Sequence, residues 1–150
     1  MTLYVRGLFS LVDAVHRFIP ELKEIGVYKA GSFAMLMSSP CERPMTVRDL
    51  LMHTSGLTYD FLRASNVDHA YRKLQVGVPR EGYTLRQMIE QLAGLPLEFV
   101  PGERWNYSLS VDVQGYLIEV LSGMSLPDYL RETLFEPLQM EDTGFEIRPG

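Results

Sequence analysis

The chain has 150 residues, 46% hydrophobic and 22% charged, which is the length of one domain and the composition of an ordinary soluble globular protein. Its net charge of −5, with no cluster of Lys and Arg, argues against nucleic acid or an anionic membrane surface as partner and leaves a small neutral ligand open. The single cysteine, Cys41, excludes an intramolecular disulfide, and His16, His53 and His69 lack metal-site spacing, so no metal and no cofactor is implied.

The N-terminal residues Met1 to Phe9 show no basic leader followed by an apolar run, and no apolar stretch reaches the roughly 18 residues that span a membrane. The expected location is cytoplasmic with no membrane partner, a leader upstream of Met1 remaining open. Leu3, Leu8, Leu11, Val15, Phe18 and Ile19 recur at near-helical spacings, so the chain is expected to start inside a helix. Asp13 to Ile19 forms a second short turn, closed by Pro20, and His16 reads as a surface residue. Val27-Tyr28 and Phe33 to Met37, bounded by Gly26, Gly31 and the loop Ser38 to Pro44, predict extended segments or a small hairpin. Cys41 in that loop has no histidine beside it and reads as a free thiol.

Thr46-Val47-Arg48-Asp49 carries the side chains of a capping box, opening a helix that Gly56 is expected to end in a left-handed conformation. His53-Thr54-Ser55-Gly56 reads as a structural corner whose hydroxyls satisfy its own backbone. From Asp60 to Gly82 the apolar content thins. That stretch predicts a surface excursion, with one helical turn around Ala70 to Leu74, placed to act as a lid. Thr84 to Gln87 is a second capping box, before Leu85, Met88, Ile89 and Leu92 at helical spacing.

Pro101-Gly102 makes a turn into Asn106, Tyr107, Ser108 and Ser110, which precede a helix expected to bury Val113, Tyr116, Leu117, Val120 and Leu121 and to stop at Gly123. Read alone, this is a capped helix start with an aromatic in the core. Ser125 to Asp128 caps a last helix, with Tyr129, Leu130, Leu134 and Phe135 inward, which ends before Pro137; Leu138 to Phe145 is a turn.

Three segments stand in order along the chain: Pro44 to Leu57 with its His-Thr-Ser-Gly-Leu corner, Pro101-Gly102-Glu103-Arg104-Trp105-Asn106-Tyr107-Ser108, and Phe135 to Phe145. Together they resemble the β-lactamase-related serine hydrolases, the family of class C β-lactamases, D-alanyl-D-alanine carboxypeptidase-like proteins and esterases of the same fold. The resemblance implies a mainly α chain, the helical region of an α+β fold with most of the antiparallel sheet missing. Residues 1–150 are then the central part of a domain whose two ends are absent.

In that family the site joins a Ser-x-x-Lys motif, a tyrosine in Tyr-x-Asn or Tyr-Ser-x, and a late Lys-Thr-Gly or His-x-Gly strand. Tyr107 falls on the catalytic tyrosine and Ser108 on the residue beside it, a substrate-binding position by resemblance; Trp105 is expected as a wall of the substrate cleft or as core. Leu109 replaces the asparagine of the lactamase pattern, and its side chain cannot supply that amide's hydrogen bonds, which favours the esterase-like branch. A tyrosine acts as general base only where cations hold it as phenolate, and the motif lysine would be that cation. No Ser-x-x-Lys occurs here, since Pro20, Gly26 and Ala70 stand three residues before Lys23, Lys29 and Lys73.

The implied activity is hydrolysis of a small-molecule ester or amide through an acyl-enzyme in the intact protein, with this chain inactive by itself. The alternative is a non-catalytic binding module derived from the family. Exposed apolar faces left by a partial domain predict marginal stability and self-association.

Overall fold

The computed structural model describes residues 1–145. Its local order comes first from helix starts. Thr46, Ser65 and Thr84 each accept from the backbone three residues on, and the side chains of Asp49, Asp68 and Gln87 reach back to the cap N–H. These reciprocal pairs start α2 (Val47–Leu51), α3 (Asn66–Leu74) and α4 (Leu85–Ala93), each satisfying donors that a bare helix end leaves orphaned. A short N-terminal helix, α1 (Thr2–Val5), and 3-10 turns at Val15–Arg17 and Pro20–Leu22 lead into a hairpin. β1 (Val27–Ser32) and β2 (Met35–Ser39) pair antiparallel, the hairpin among the sequence's two alternatives, with a bulge between Tyr28 and Ala30. The hairpin is held to the helical body by Tyr28 N–H to Leu97 O and Leu97 N–H to Gly26 O, each 2.8 Å.

The long helix α5 (Ser110–Ser122) packs against α2, α4 and the short α6 (Leu126–Leu130). Leu50, Leu57, Tyr71, Ile89, Leu92, Leu97, Val113 and Leu117 belong to one contiguous buried cluster beneath these elements. Among the described residues helices are the main regular elements, beside a two-stranded sheet.

Several expectations change. The Asp60 to Gly82 stretch is no surface excursion: α3 runs through it, and Val67, Ala70 and Tyr71 are buried. Their i, i+3, i+4 spacing makes a narrow apolar stripe on an otherwise polar helix, which composition alone conceals. Arg72 Nη1 lies 2.8 Å from Asp68 Oδ1, an ion-pair contact without the alignment of a hydrogen bond. α2 stops at Leu51, and the first left-handed residue after it is His53 at φ 55°, three residues before Gly56 at φ 84°. On α5, Val113 and Leu117 are buried, Tyr116 and Leu121 are half-buried against the edge of the core, and Val120 is exposed. Leu134 is exposed and Phe135 half-buried, since the backbone widens to π turns over Arg131–Phe135 and rotates them off the helical stripe.

The α2 cap is also an electrostatic tie. Asp49, 4% exposed, accepts from Thr46 N and Oγ1, from Thr54 Oγ1 and from Arg43 Nη2, whose Nε–H donates to Pro101 O. Burial pulls its carboxyl up, but the bonds from Thr46, Arg43 and Thr54 outweigh burial and hold it below its ordinary value. A depressed carboxyl adds stability that is present above its unfolded-state value and lost as pH falls through the folded one. Asp49→Asn is therefore expected to cost about 1.5–3 kcal/mol at pH 7. The gap to the parent should close below about pH 4, as urea unfolding at both pH values would show.

Candidate functional site

The site is a corner where residues 53–59 meet residues 97–112. Backbone bonds latch the two segments together: Glu98 N–H to Gly56 O at 2.7 Å, Gly102 N–H to Thr54 O at 2.7 Å, Asn106 N–H to His53 O at 2.9 Å, and Leu109 N–H to Thr58 O at 3.2 Å. Asn106 Nδ2 adds a bond to Leu57 O at 2.9 Å. The approach is close enough to require glycine at position 56, where a Cβ would lie 2.4 Å from Phe99 O; Gly102 serves by its left-handed conformation at φ 88°, its would-be Cβ meeting only the end of the Arg43 side chain.

On this latched frame an aromatic cluster faces solvent. Trp105 is 66% exposed, Phe61 57% and Tyr107 47%. The Tyr107 ring lies 5.2 Å from the His53 ring, 5.0 Å from Tyr59, and 6.4 Å from both Phe61 and Trp105, the Trp105 plane being nearly parallel at 16°. His53 meets Trp105 edge-on at 6.1 Å, and Tyr59 stacks on Phe61 at 4.8 Å. Tyr59 donates its hydroxyl to Asp112 Oδ2 at 3.2 Å. Burial, reinforced by the Asp112 charge and bond, pushes the Tyr59 phenol far above its ordinary value, and burial raises the Asp112 carboxyl despite that bond. The arrangement offers a ligand several ring faces and one phenol.

Of the residues expected at the site, Tyr107 and Trp105 come together on the exposed face. Ser108 does not join them: it is fully buried, with its hydroxyl turned to His53 Nδ1 at 3.3 Å and to Ser110 Oγ at 2.8 Å. α5 also lacks the side-chain cap expected of this stretch; its N-cap is Leu109 and the serines bond one another instead. Ser55 is fully buried, bonded to Ser110 Oγ and Leu57 N–H, and is not placed as a nucleophile. The Cys41 thiol donates to Arg43 O at 3.0 Å, away from this corner in its own loop. Sequence reasoning missed Tyr59 and Asp112. Their signal was position: Tyr59 directly follows the His-Thr-Ser-Gly-Leu-Thr corner, and Asp112 sits in the first turn of the helix after Tyr107.

A family model described as Beta-lactamase matches residues 1–149. The chain belongs to the Beta-lactamase family. Within it, the chain is 31% identical over 145 residues to Esterase EstB from Burkholderia gladioli, covering 97% of this chain and 34% of that protein. In structure it resembles a LovD9 mutant of simvastatin synthase from Aspergillus terreus with a TM-score of 0.76 and 30% identity, over 96% of this chain and 35% of that one. It also resembles EstCE1, a hydrolase with promiscuous acyltransferase activity, with a TM-score of 0.70 and 28% identity, over 91% and 33% of the two chains. The chain thus spans about a third of the length of the Beta-lactamase-family relatives it matches. The latched corner lies wholly inside the matched residues.

Proposed function

We propose that this chain carries the proton-handling tyrosine of a β-lactamase-family acyl hydrolase, of the esterase-like branch, and holds no nucleophile of its own. The observation that carries this reading is Tyr107: a half-exposed phenol, presented to solvent on a loop that four backbone hydrogen bonds to and around the His-Thr-Ser-Gly-Leu corner keep in place. The names of relatives support the reading, since Esterase EstB and a lovastatin esterase of Penicillium rubens are both esterases by name.

In the intact enzyme, the serine of the family's Ser-x-x-Lys attacks the carbonyl of a small ester or amide while Tyr107 accepts its proton. The leaving group takes that proton as the acyl-enzyme forms, and water releases the acyl group by the reverse transfer. Trp105 and Phe61 line the apolar side of the substrate. Leu109, at the position of the lactamase pattern's asparagine, is buried in the core and so offers a substrate no hydrogen bond.

The isolated chain is expected to give no burst and no turnover of a nitrophenyl ester above buffer, followed at 400 nm as nitrophenolate release. A burst that Tyr107→Phe abolishes would contradict the proposal. The other reading, a binding module, is favoured by exposed apolar side chains on the hairpin and N-terminal segment, with Met35 82%, Val5 82% and Val12 74% exposed. The two readings separate once the family's serine and lysine are supplied, because only the first then gives hydrolysis that depends on Tyr107.

A further inference from the structure

Beneath the exposed rings runs a line of buried hydroxyls. His53 Nδ1 lies 3.3 Å from Ser108 Oγ, Ser108 Oγ 2.8 Å from Ser110 Oγ, and Ser110 Oγ 2.8 Å from Ser55 Oγ, where Leu57 N–H closes the line at 3.2 Å. Ser55, Ser108 and Ser110 are each 0% exposed, so bulk solvent does not reach them. His53 itself adopts φ 55°, a left-handed conformation uncommon outside glycine, though histidine enters it more readily than most side chains. Its carbonyl receives Asn106 N–H, and its ring stands 5.2 Å from Tyr107. One residue thus touches the tyrosine loop through both backbone and side chain.

Counting protons fixes the direction of the line. Three bonds join the imidazole and the three hydroxyls, and the hydroxyls bring three protons. Every proton is used only if Ser55 donates to Ser110, Ser110 to Ser108, and Ser108 to an unprotonated Nδ1. A proton on Nδ1 would make four donors for three bonds and reverse the line. The Ser55 proton would then be buried without an acceptor, since Leu57 N–H is itself a donor, at a cost of the order of a lost hydrogen bond.

We propose that His53 is a positioning residue for Tyr107, held by the Ser55–Ser110–Ser108 line as the tautomer that accepts at Nδ1 and carries its proton on Nε2. The role rests on the reading of Tyr107 as the proton carrier; the tautomer does not. With Nδ1 tied inward, the ring cannot rotate about its own axis, and the left-handed backbone directs it under Tyr107 instead of away from it. The neutral imidazole is a fixed wall that sets where the phenol can lie.

The test is nitrogen NMR of the 15N-labelled chain at a pH where imidazoles are neutral, with His53 distinguished from His16 and His69 by its loss in His53→Asn. The expected pattern is a pure Nε2–H tautomer, with an Nδ1 signal displaced by an accepted hydrogen bond. Ser108→Ala should release that signal to the free-acceptor position. Asn tolerates the left-handed conformation, and its amide oxygen can still accept from Ser108. In His53→Asn the Asn106 amide should therefore exchange within about twofold of the parent, while His53→Ala accelerates it by about tenfold or more. The Tyr107 ring signals should move in both variants. An Nδ1–H pattern, a His53 signal indifferent to Ser108→Ala, or Tyr107 ring signals unchanged in His53→Asn would each overturn the proposal. If Tyr107 proved irrelevant to ester hydrolysis, the tautomer pattern would be unaffected, so the two failures are distinct.

Discussion

Tyr107→Phe is expected to lower kcat/KM for nitrophenyl butyrate about 10²–10⁴-fold when the matching third of Esterase EstB is exchanged for this chain, so that Tyr107 is supplied with the family's serine and lysine. The substitution is a clean one. Phe keeps the ring that packs 5.2 Å from His53 and 5.0 Å from Tyr59, and among the described residues the Tyr107 hydroxyl makes no hydrogen bond. The melting temperature of the exchanged enzyme should then be nearly unchanged while its rate collapses. Equal activity in the Tyr and Phe forms would remove Tyr107 from the chemistry and leave the corner as a binding surface.

Gly56→Ala is expected to destabilise the chain by about 2–4 kcal/mol, adding left-handed strain to the displacement of backbone by the new methyl. At φ 84° the Cβ would sit 2.4 Å from Phe99 O and 3.0 Å from Leu97 Cβ. Neither atom is the free end of a flexible side chain. Relief would have to break the Glu98 N–H to Gly56 O bond that begins the latch. Gly7 is the natural control, because it has a similar φ of 74° and nothing within 4 Å of its would-be Cβ. Gly7→Ala should cost only the strain, about 1 kcal/mol. Thermal melts of the two variants would show whether close approach or conformation dominates; equal losses would contradict the packing explanation for Gly56.

The helix starts were the most legible part of this sequence, because a capping box is written in residues three apart. Thr46 with Asp49 and Thr84 with Gln87 fold as they read. Ser65 with Asp68 has the same signature, yet its polar surroundings read as loop, since the apolar residues that α3 buries are just Val67, Ala70 and Tyr71. The left-handed turn after α2 was legible only in part: Gly56 announces one, but His53 adopts the first, and its carbonyl accepts from the N–H of Asn106, which stands far along the chain. The serine line was not legible at all. Ser55 and Ser110 are 55 positions apart, and only the pairing of their two loops makes them neighbours. Tyr107 itself looked like a core aromatic beside a cap until the family words around it gave it another meaning, whereas in the structure it is nearly half exposed. What was missed belongs to tertiary contacts, where propensity and period carry no information.

The most direct measurement is intact-mass analysis after treatment with a reactive fluorophosphonate, which marks an activated serine covalently. The isolated chain should take up no label, with Ser55, Ser108 and Ser110 all buried. The exchanged enzyme should take up one label, on the serine of its Ser-x-x-Lys, and Tyr107→Phe should slow that labelling about 10²-fold or more. A labelled serine within residues 1–150, or labelling of the exchanged enzyme at the same rate with Phe at position 107, would contradict the assignment of Tyr107 as proton carrier to a nucleophile held elsewhere.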